Sequence, residues 1–124
     1  MKFLVDSNII IYHLNKDTIA TKFLSENYQK IAISQITFVE VLSFSFTQKE
    51  EKNVRELLSN FDIIDVNMDI SNQAILNRKL KKIKIPDNII SSTAMVYDLI
   101  LVTRNVKDFK VLEVKVFNPF ESYS

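Results

Sequence analysis

The chain has 124 residues and a mass of 14.4 kDa, which is enough for one domain with a hydrophobic core. It contains no glycine and no cysteine, and its only histidine is His13. This composition excludes glycine-rich phosphate loops, zinc fingers, thiolate nucleophiles and the paired histidines of zinc proteases. Sixteen basic and fifteen acidic residues give a net charge of +1, so the overall charge indicates neither a nucleic-acid nor a membrane partner. Any catalysis must depend mainly on carboxylates and hydroxyls.

Short apolar runs typical of strands alternate along the chain with longer helical patterns. A helical pattern that includes His13 follows the first of these apolar runs. We predict strands at 3–5, 31–33, 63–66, 99–102 and 114–117, and further helices at about 19–24, 36–42, 49–58, 71–82 and 87–98. This alternation predicts one α/β domain over residues 1–124, with a parallel sheet covered by helices on both faces.

The first apolar run is interrupted by Asp6, and no apolar run is long enough to cross a bilayer. We therefore expect neither a secretory signal nor a membrane partner, and a cytoplasmic location.

Asp6 directly follows the first predicted strand. In an open parallel sheet, ligands bind beyond the carboxyl ends of the strands, so Asp6 is a candidate site residue. The alternative is that it caps a helix, because Asp6, Ser7 and Asn8 are all good capping residues.

Glu40 lies in an apolar helical segment, Ile-Thr-Phe-Val-Glu-Val-Leu. A charged carboxylate in such surroundings is costly unless it is paired, bound to a metal or turned toward water. The alternative is a narrow polar stripe on this helix that also includes Thr37 and Ser43.

Asp87 follows Pro86 and opens a helix whose early residues are small or polar. It can serve as a rigid ligand with room beside it, or it can complement the helix dipole in the first turn. Asn105 and Asp108 follow the fourth predicted strand, where they are either site residues or a polar turn. Oxygen ligands that converge on one sheet edge are the ligand chemistry of Mg²⁺ or Mn²⁺.

Four segments of this chain resemble the PIN-domain family, and more narrowly the VapC-type ribonuclease toxins of toxin–antitoxin pairs. These segments are FLVDSNIII, SQITFVEVL, IPDNIISSTAMVYDLILVTRNVKDF and VFNP, and they span nearly the whole chain in the family's order. The resemblance implies a three-layer α/β/α sandwich with a central parallel sheet. It also implies a metal-dependent endoribonuclease that hydrolyses RNA phosphodiester bonds.

The resemblance implies that Asp6 and Asp87 bind Mg²⁺ or Mn²⁺ and that Glu40 completes the acidic cluster. The fourth acidic position varies in this family, and either Asn105 or Asp108 supplies it here. The hydrogen-bonding residues expected around the carboxylates are then Ser7, Asn8 and Thr103.

Basic residues near these positions are candidates for binding RNA. Lys81 and Lys82 precede Asp87 in a basic segment, and Arg104 follows Thr103. The alternative for the lysines is a solvated helix end. The resemblance further implies a cognate antitoxin as a protein partner and favours a homodimer.

Other functions remain as alternatives. A haloacid-dehalogenase phosphatase would need a second aspartate at position 8, where the chain has Asn8, and a receiver domain would need paired acids near the first strand. A PIN-like interaction module with weak or no catalytic activity is the more serious alternative.

The absence of glycine also carries a structural expectation. Turns must depend on Asn, Asp and Ser, among them Ser7, Asn8 and Asn105, so we expect some candidate site residues to serve where another chain would use glycine.

Overall fold

A computed structural model describes residues 1–122 of the chain. Within these residues, five strands form one sheet in the order β3-β2-β1-β4-β5, and every neighbouring pair is parallel. The strands are β1 (Phe3–Val5), β2 (Ile31–Ser34), β3 (Asp62–Ile64), β4 (Ile100–Val102) and β5 (Val116–Phe117).

Seven helices accompany the sheet within the same described residues. They are α1 (Ser7–Leu14), α2 (Thr18–Asn27), α3 (Gln35–Leu42), α4 (Gln48–Leu58), α5 (Met68–Leu80), α6 (Ile85–Val96) and α7 (Pro119–Ser122). No helix among residues 1–122 combines the length and the apolar character that a bilayer crossing needs.

The alternation of side chains along β1 divides the core into two layers. Phe3 and Val5 face a cluster that includes buried residues of α1, α2, α3 and α4. Leu4 faces the opposite cluster, which is built with α5 and α6. Successive side chains of a strand point to opposite faces, so a fully apolar β1 requires helices on both sides. The structure confirms the predicted α/β/α sandwich with a central parallel sheet.

The predicted elements exist, but several boundaries were wrong. The third strand ends at Ile64, because Asn67 caps the next helix by accepting a hydrogen bond from the Ile70 amide at 2.9 Å. That helix therefore covers 68–80 rather than 71–82. The fifth strand is limited to Val116 and Phe117.

The start of α6 also differs from the prediction. The predicted start was Asp87, but the extended residue before the helix is Lys84 (φ −62°, ψ 146°) and the helix begins at Ile85. Pro86 thus lies in the first turn, where its missing N–H removes no helical hydrogen bond.

The expectation that Ser7, Asn8 and Asn105 take the place of glycine in turns was wrong. Ser7 and Asn8 lie in α1, and Asn105 has φ −89°. The positive φ angles belong instead to Lys16 (66°) and Asp98 (53°). The turns that require left-handed backbone therefore lie outside the candidate site.

Candidate metal centre

The candidate site lies where the order of the strands reverses. From β1 the chain moves to β2 on one side, whereas β4 pairs with β1 on the other. The Asp6 amide donates to the Val102 carbonyl at 2.9 Å, which ties the ends of β1 and β4 together. Such a switch point opens a crevice at the carboxyl ends of the strands.

Asp6 is almost completely buried in this crevice, with 6% of its surface exposed. Its Oδ1 accepts a hydrogen bond from the Ser7 amide at 2.7 Å. Its Oδ2 accepts from the Thr103 hydroxyl at 2.8 Å and, at 3.4 Å, from Asn8 Nδ2. Asp6 therefore caps α1 and is also held by the end of β4, so the capping and site interpretations both apply.

Thr103 and Asn8 extend this network. The buried Thr103 hydroxyl accepts from Asn8 Nδ2 at 3.2 Å and from the Asn105 amide at 3.1 Å. All three predicted supporting residues therefore donate hydrogen bonds to the Asp6 carboxylate: Ser7, Asn8 and Thr103. Asn8 and Thr103 are also hydrogen-bonded to each other.

Glu40 connects α3 to the same site. Its Oε1 accepts a hydrogen bond from the Ser7 hydroxyl at 2.6 Å, so the side chain is directed toward the start of α1. Of the other two residues in the alternative polar stripe, Thr37 is fully buried and Ser43 donates to the Val39 carbonyl. A solvated stripe therefore does not describe this helix, because its three polar residues lie in three different environments.

Asp87 is the third residue of α6 and is half-buried. The sequence suggested that the small polar residues after Asp87 leave space for a ligand, but they do not. Asn88, Ser91, Ser92 and Thr93 are all buried. They serve packing: Asn88 Nδ2, for example, donates to the Ala74 carbonyl of α5 at 2.9 Å.

The carboxylates interact with one another electrostatically. Burial raises the pKa of Asp6 to about 6, Thr103 and Ser7 oppose that rise, and the charges of Asp87 and Glu40 add to it. Burial also raises the pKa of Asp87, with further contributions from Asp108 and Glu40, while Lys84 and Lys81 lower it. The site therefore concentrates negative charge that a bound cation would relieve.

Asp108 and Asn105 are placed differently. Asp108 lines a cavity of about 200 Å³ together with Asp87, Lys81 and Lys84. Asn105 is exposed, and its side chain makes no hydrogen bond to another residue of the described chain. Of the two candidates for the fourth acidic position, the structure brings Asp108 beside Asp87.

The predicted RNA-binding residues occupy two places. Lys81 Nζ donates to the Asp108 carbonyl at 2.7 Å and so fastens the turn that carries Asp108. Lys82 is exposed at the rim of the Asp87 cavity. Arg104 is exposed directly after Thr103, and its guanidinium lies over the ring of Phe120.

The residues of the crevice decide whether a divalent cation fits there. Among residues 1–122, no three His, Cys, Asp or Glu side chains are placed to hold one ion together. Mg²⁺ usually keeps several waters and binds through only one or two carboxylates, so Asp6 and Asp87 are sufficient in number. Asn8 Oδ1 is a buried acceptor without a partner in the described chain, which fits a site that water enters. The donor set fits a hydrated hard cation.

Two features of this region were not predicted from the sequence. Asn77, which is 1% exposed, donates from Nδ2 to Asn88 Oδ1 at 3.2 Å and to Ser92 Oγ at 3.0 Å, so a buried polar network joins α5 to α6. One signal was available, because Asn77 lies three residues after Ala74 on the same buried helix face. The second feature is the pair of rings around Arg104, for which no local pattern in the sequence was a signal.

Comparison with known proteins agrees with this geometry. The family model of the PIN domain matches residues 3–115, and the chain belongs to this family. Its relatives among solved structures indicate the VapC-type branch of that family. None of the curated proteins compared with the chain matches it.

Three solved structures illustrate the relationship. A toxin–antitoxin complex from Klebsiella pneumoniae contains a chain that is 36% identical, with a TM-score of 0.86 over 95% of this chain and 98% of that one. VapBC2 from Rickettsia felis, bound to a DNA fragment from its promoter, is 27% identical with a TM-score of 0.79 over 95% and 98% of the two chains. DNA-bound VapBC from Salmonella typhimurium, at 22% identity and a TM-score of 0.81 over 96% and 98%, supports the fold.

Proposed function

We propose that this protein is a metal-dependent endoribonuclease and the toxin of a toxin–antitoxin pair, acting as a single domain in the cytoplasm. The observation that carries the proposal is the buried Asp6 carboxylate at the switch point of the sheet, within electrostatic reach of Asp87 and Glu40. Membership of the PIN-domain family supports nuclease activity.

Asp6 and Asp87 would hold Mg²⁺ or Mn²⁺. When bound, such an ion lowers the pKa of a water and polarises a phosphoryl oxygen. The protein itself fixes the positions of the two carboxylates. Asp6 is buried and hydrogen-bonded to Thr103, and Asp87 lies in the first turn of α6.

Glu40 would orient the attacking water or accept its proton, because its carboxylate is fixed by Ser7 on the edge of the same crevice. Asp108 would add negative charge beside Asp87. Asn105 stays a candidate for the fourth position only as a neutral carbonyl ligand.

RNA would be held by basic groups on both sides of the carboxylates. Lys82 and Arg104 present exposed cations, whereas Lys81 is already bonded to the backbone of the Asp108 turn. The charge of Lys81 would therefore attract RNA at longer range than the charges of Lys82 and Arg104.

The protein partners would be an antitoxin and a second copy of this chain. The complexes from K. pneumoniae and R. felis support the antitoxin. The outer face of α5 supports self-association, because Met68, Ile75, Leu76 and Leu80 are each more than half exposed there. Sedimentation of the purified chain at micromolar concentration tests the dimer, and a monomer would contradict it.

The function is tested by cleavage of single-stranded RNA in Mn²⁺. We expect the wild-type chain to cleave, EDTA to stop it, and Asp87→Asn to lower the rate at least about a hundredfold because one ligand carboxylate is lost. Asp69→Asn is the matched control, since Asp69 also lies in the first turn of a helix but is exposed on α5.

The outcomes separate the two candidate functions. If Asp87→Asn cleaves like the wild type, the activity comes from another site or a contaminant. If the wild type does not cleave RNA with either ion, the chain is an interaction module and the nuclease proposal is wrong.

A further inference from the structure

Arg104 is anchored next to the metal centre by its neighbour in the chain. Thr103 donates its hydroxyl to Asp6 at 2.8 Å, and its amide donates to the Phe117 carbonyl at 3.1 Å. The backbone of Arg104 therefore directly follows a residue that is hydrogen-bonded to the buried Asp6 carboxylate. It is also tied to β5, the strand that leads into α7.

Two aromatic rings hold the guanidinium of Arg104. Its Cζ lies 4.3 Å from the ring centroid of Phe120 on α7 and 5.2 Å from that of Tyr12 on α1. The two rings contact each other, with centroids 5.1 Å apart. Phe120 is fixed in turn, since its amide donates to Asn118 Oδ1 at 3.0 Å.

The stacked guanidinium has no carboxylate partner within residues 1–122. Arg55, by contrast, lies over the ring of Phe38 and also pairs with Glu51 at 3.1 Å. Aromatic stacking covers the face of a guanidinium but leaves its N–H edge open for hydrogen bonds. Arg104 is thus a preoriented cation whose donors are available.

We propose that Tyr12 and Phe120 are positioning residues that hold Arg104 ready to bind a backbone phosphate of RNA beside the metal centre. This inference rests on the proposed nuclease function and extends it to the C-terminal helix α7, to which no role was assigned. Ordering an arginine before binding lowers the entropic cost of the contact, and its planar fork matches the oxygens of a phosphate.

The proposal is tested by steady-state cleavage of single-stranded RNA in Mn²⁺ at several salt concentrations. Arg104→Ala is expected to raise KM about tenfold, with kcat within about twofold of the wild type, because a charge-assisted hydrogen bond is lost. The slope of log KM against log salt should decrease by about one, since one phosphate contact is removed.

Phe120→Leu removes a ring but keeps an apolar side chain and every charge. We expect KM to rise about threefold with an unchanged salt slope, because Arg104 still carries its charge but is less well oriented. Phe120→Tyr should restore the wild-type KM. Phe44→Leu is the control, because the Phe44 ring is exposed and contacts Phe46 rather than a cation.

The results distinguish rings that position Arg104 from rings that only pack against it. If Arg104→Ala keeps the wild-type KM and salt slope, or if Phe120→Leu lowers the melting temperature without changing KM, the rings only fasten α7 and the inference is wrong. A wild-type chain that fails to cleave RNA would contradict the nuclease function itself, a different result from cleavage that is insensitive to these variants.

Discussion

Replacement of Asp6 by Asn should lower the rate of RNA cleavage in Mn²⁺ about a thousandfold, which corresponds to about 4 kcal/mol. Asp6 combines near-complete burial with hydrogen bonds from Ser7 and Thr103, so no nearby carboxylate can take its place in the same orientation. Asn keeps the size and one carbonyl oxygen but loses the charge. The measurement is the initial rate of cleavage at a Mn²⁺ concentration that saturates the wild type.

Asp62→Asn is the control for this substitution. Asp62 is exposed on the edge strand β3, at the end opposite to the candidate site, so the variant should cleave at the wild-type rate. Cleavage by Asp6→Asn within about tenfold of the wild type would show that Asp6 is not a ligand.

The same carboxylate should make the metal-free protein less stable as pH rises. The pKa of Asp6 is about 6 in the folded chain and about 3.9 when exposed, so between pH 4 and 6 the folded state binds more protons than the unfolded state. The free energy of unfolding therefore falls through this window, by about 3 kcal/mol from Asp6. The raised pKa of Asp87 acts in the same direction.

Urea unfolding in EDTA at pH 4, 5, 6 and 7 measures this loss. Asp6→Asn should remove most of the slope and exceed the wild type in stability at pH 7, because it buries no charge. Asp62→Asn should follow the wild type. A wild-type chain whose stability rises steadily from pH 4 to pH 7, in parallel with Asp6→Asn, would mean that the buried carboxylate is already compensated without a metal.

Both predictions follow from the burial of the Asp6 carboxylate. A buried carboxylate without a cation destabilises the fold, and the same burial strengthens its interaction with a cation that does bind. Under the proposed function, cation binding at the switch point would thus be obtained at the expense of the stability of the metal-free protein.

The sheet and its two helical layers were predictable because they depend on patterns within short segments. The uninterrupted apolar character of β1 and β4 requires cover on both faces, and the capping residues after β1 place Asp6 at a strand end. Asp6, Glu40 and Asp87 could be selected for the same reason: each is a carboxylate at a strand end, at a helix start or in an apolar helix.

The points that the sequence left open or did not predict depend on contacts between distant segments. Asn105 and Asp108 are only three residues apart, and the choice between them depends on how Lys81 fastens the turn from a different element. The role of Asn88 likewise follows from Asn77, eleven residues earlier on the neighbouring helix. Local sequence contains no information about such partners.

The boundary errors have a related cause. The predicted start at Asp87 placed Pro86 before the helix, yet the first turn tolerates Pro86 and α6 begins two residues earlier than predicted. The two-residue difference matters because it makes Asp87 the third helical residue, with its carboxylate beside the turn that carries Asp108.

The most direct test of the central claim is a calorimetric titration of the metal-free protein with Mn²⁺ at pH 7. We expect the wild type and Asp62→Asn to bind, with a rise in melting temperature because the ion binds only the folded state, and Asp6→Asn and Asp87→Asn to lose both effects. Binding of Mn²⁺ to Asp6→Asn with the wild-type affinity, or no binding to the wild type at millimolar Mn²⁺, would contradict the assignment of this crevice as a metal centre.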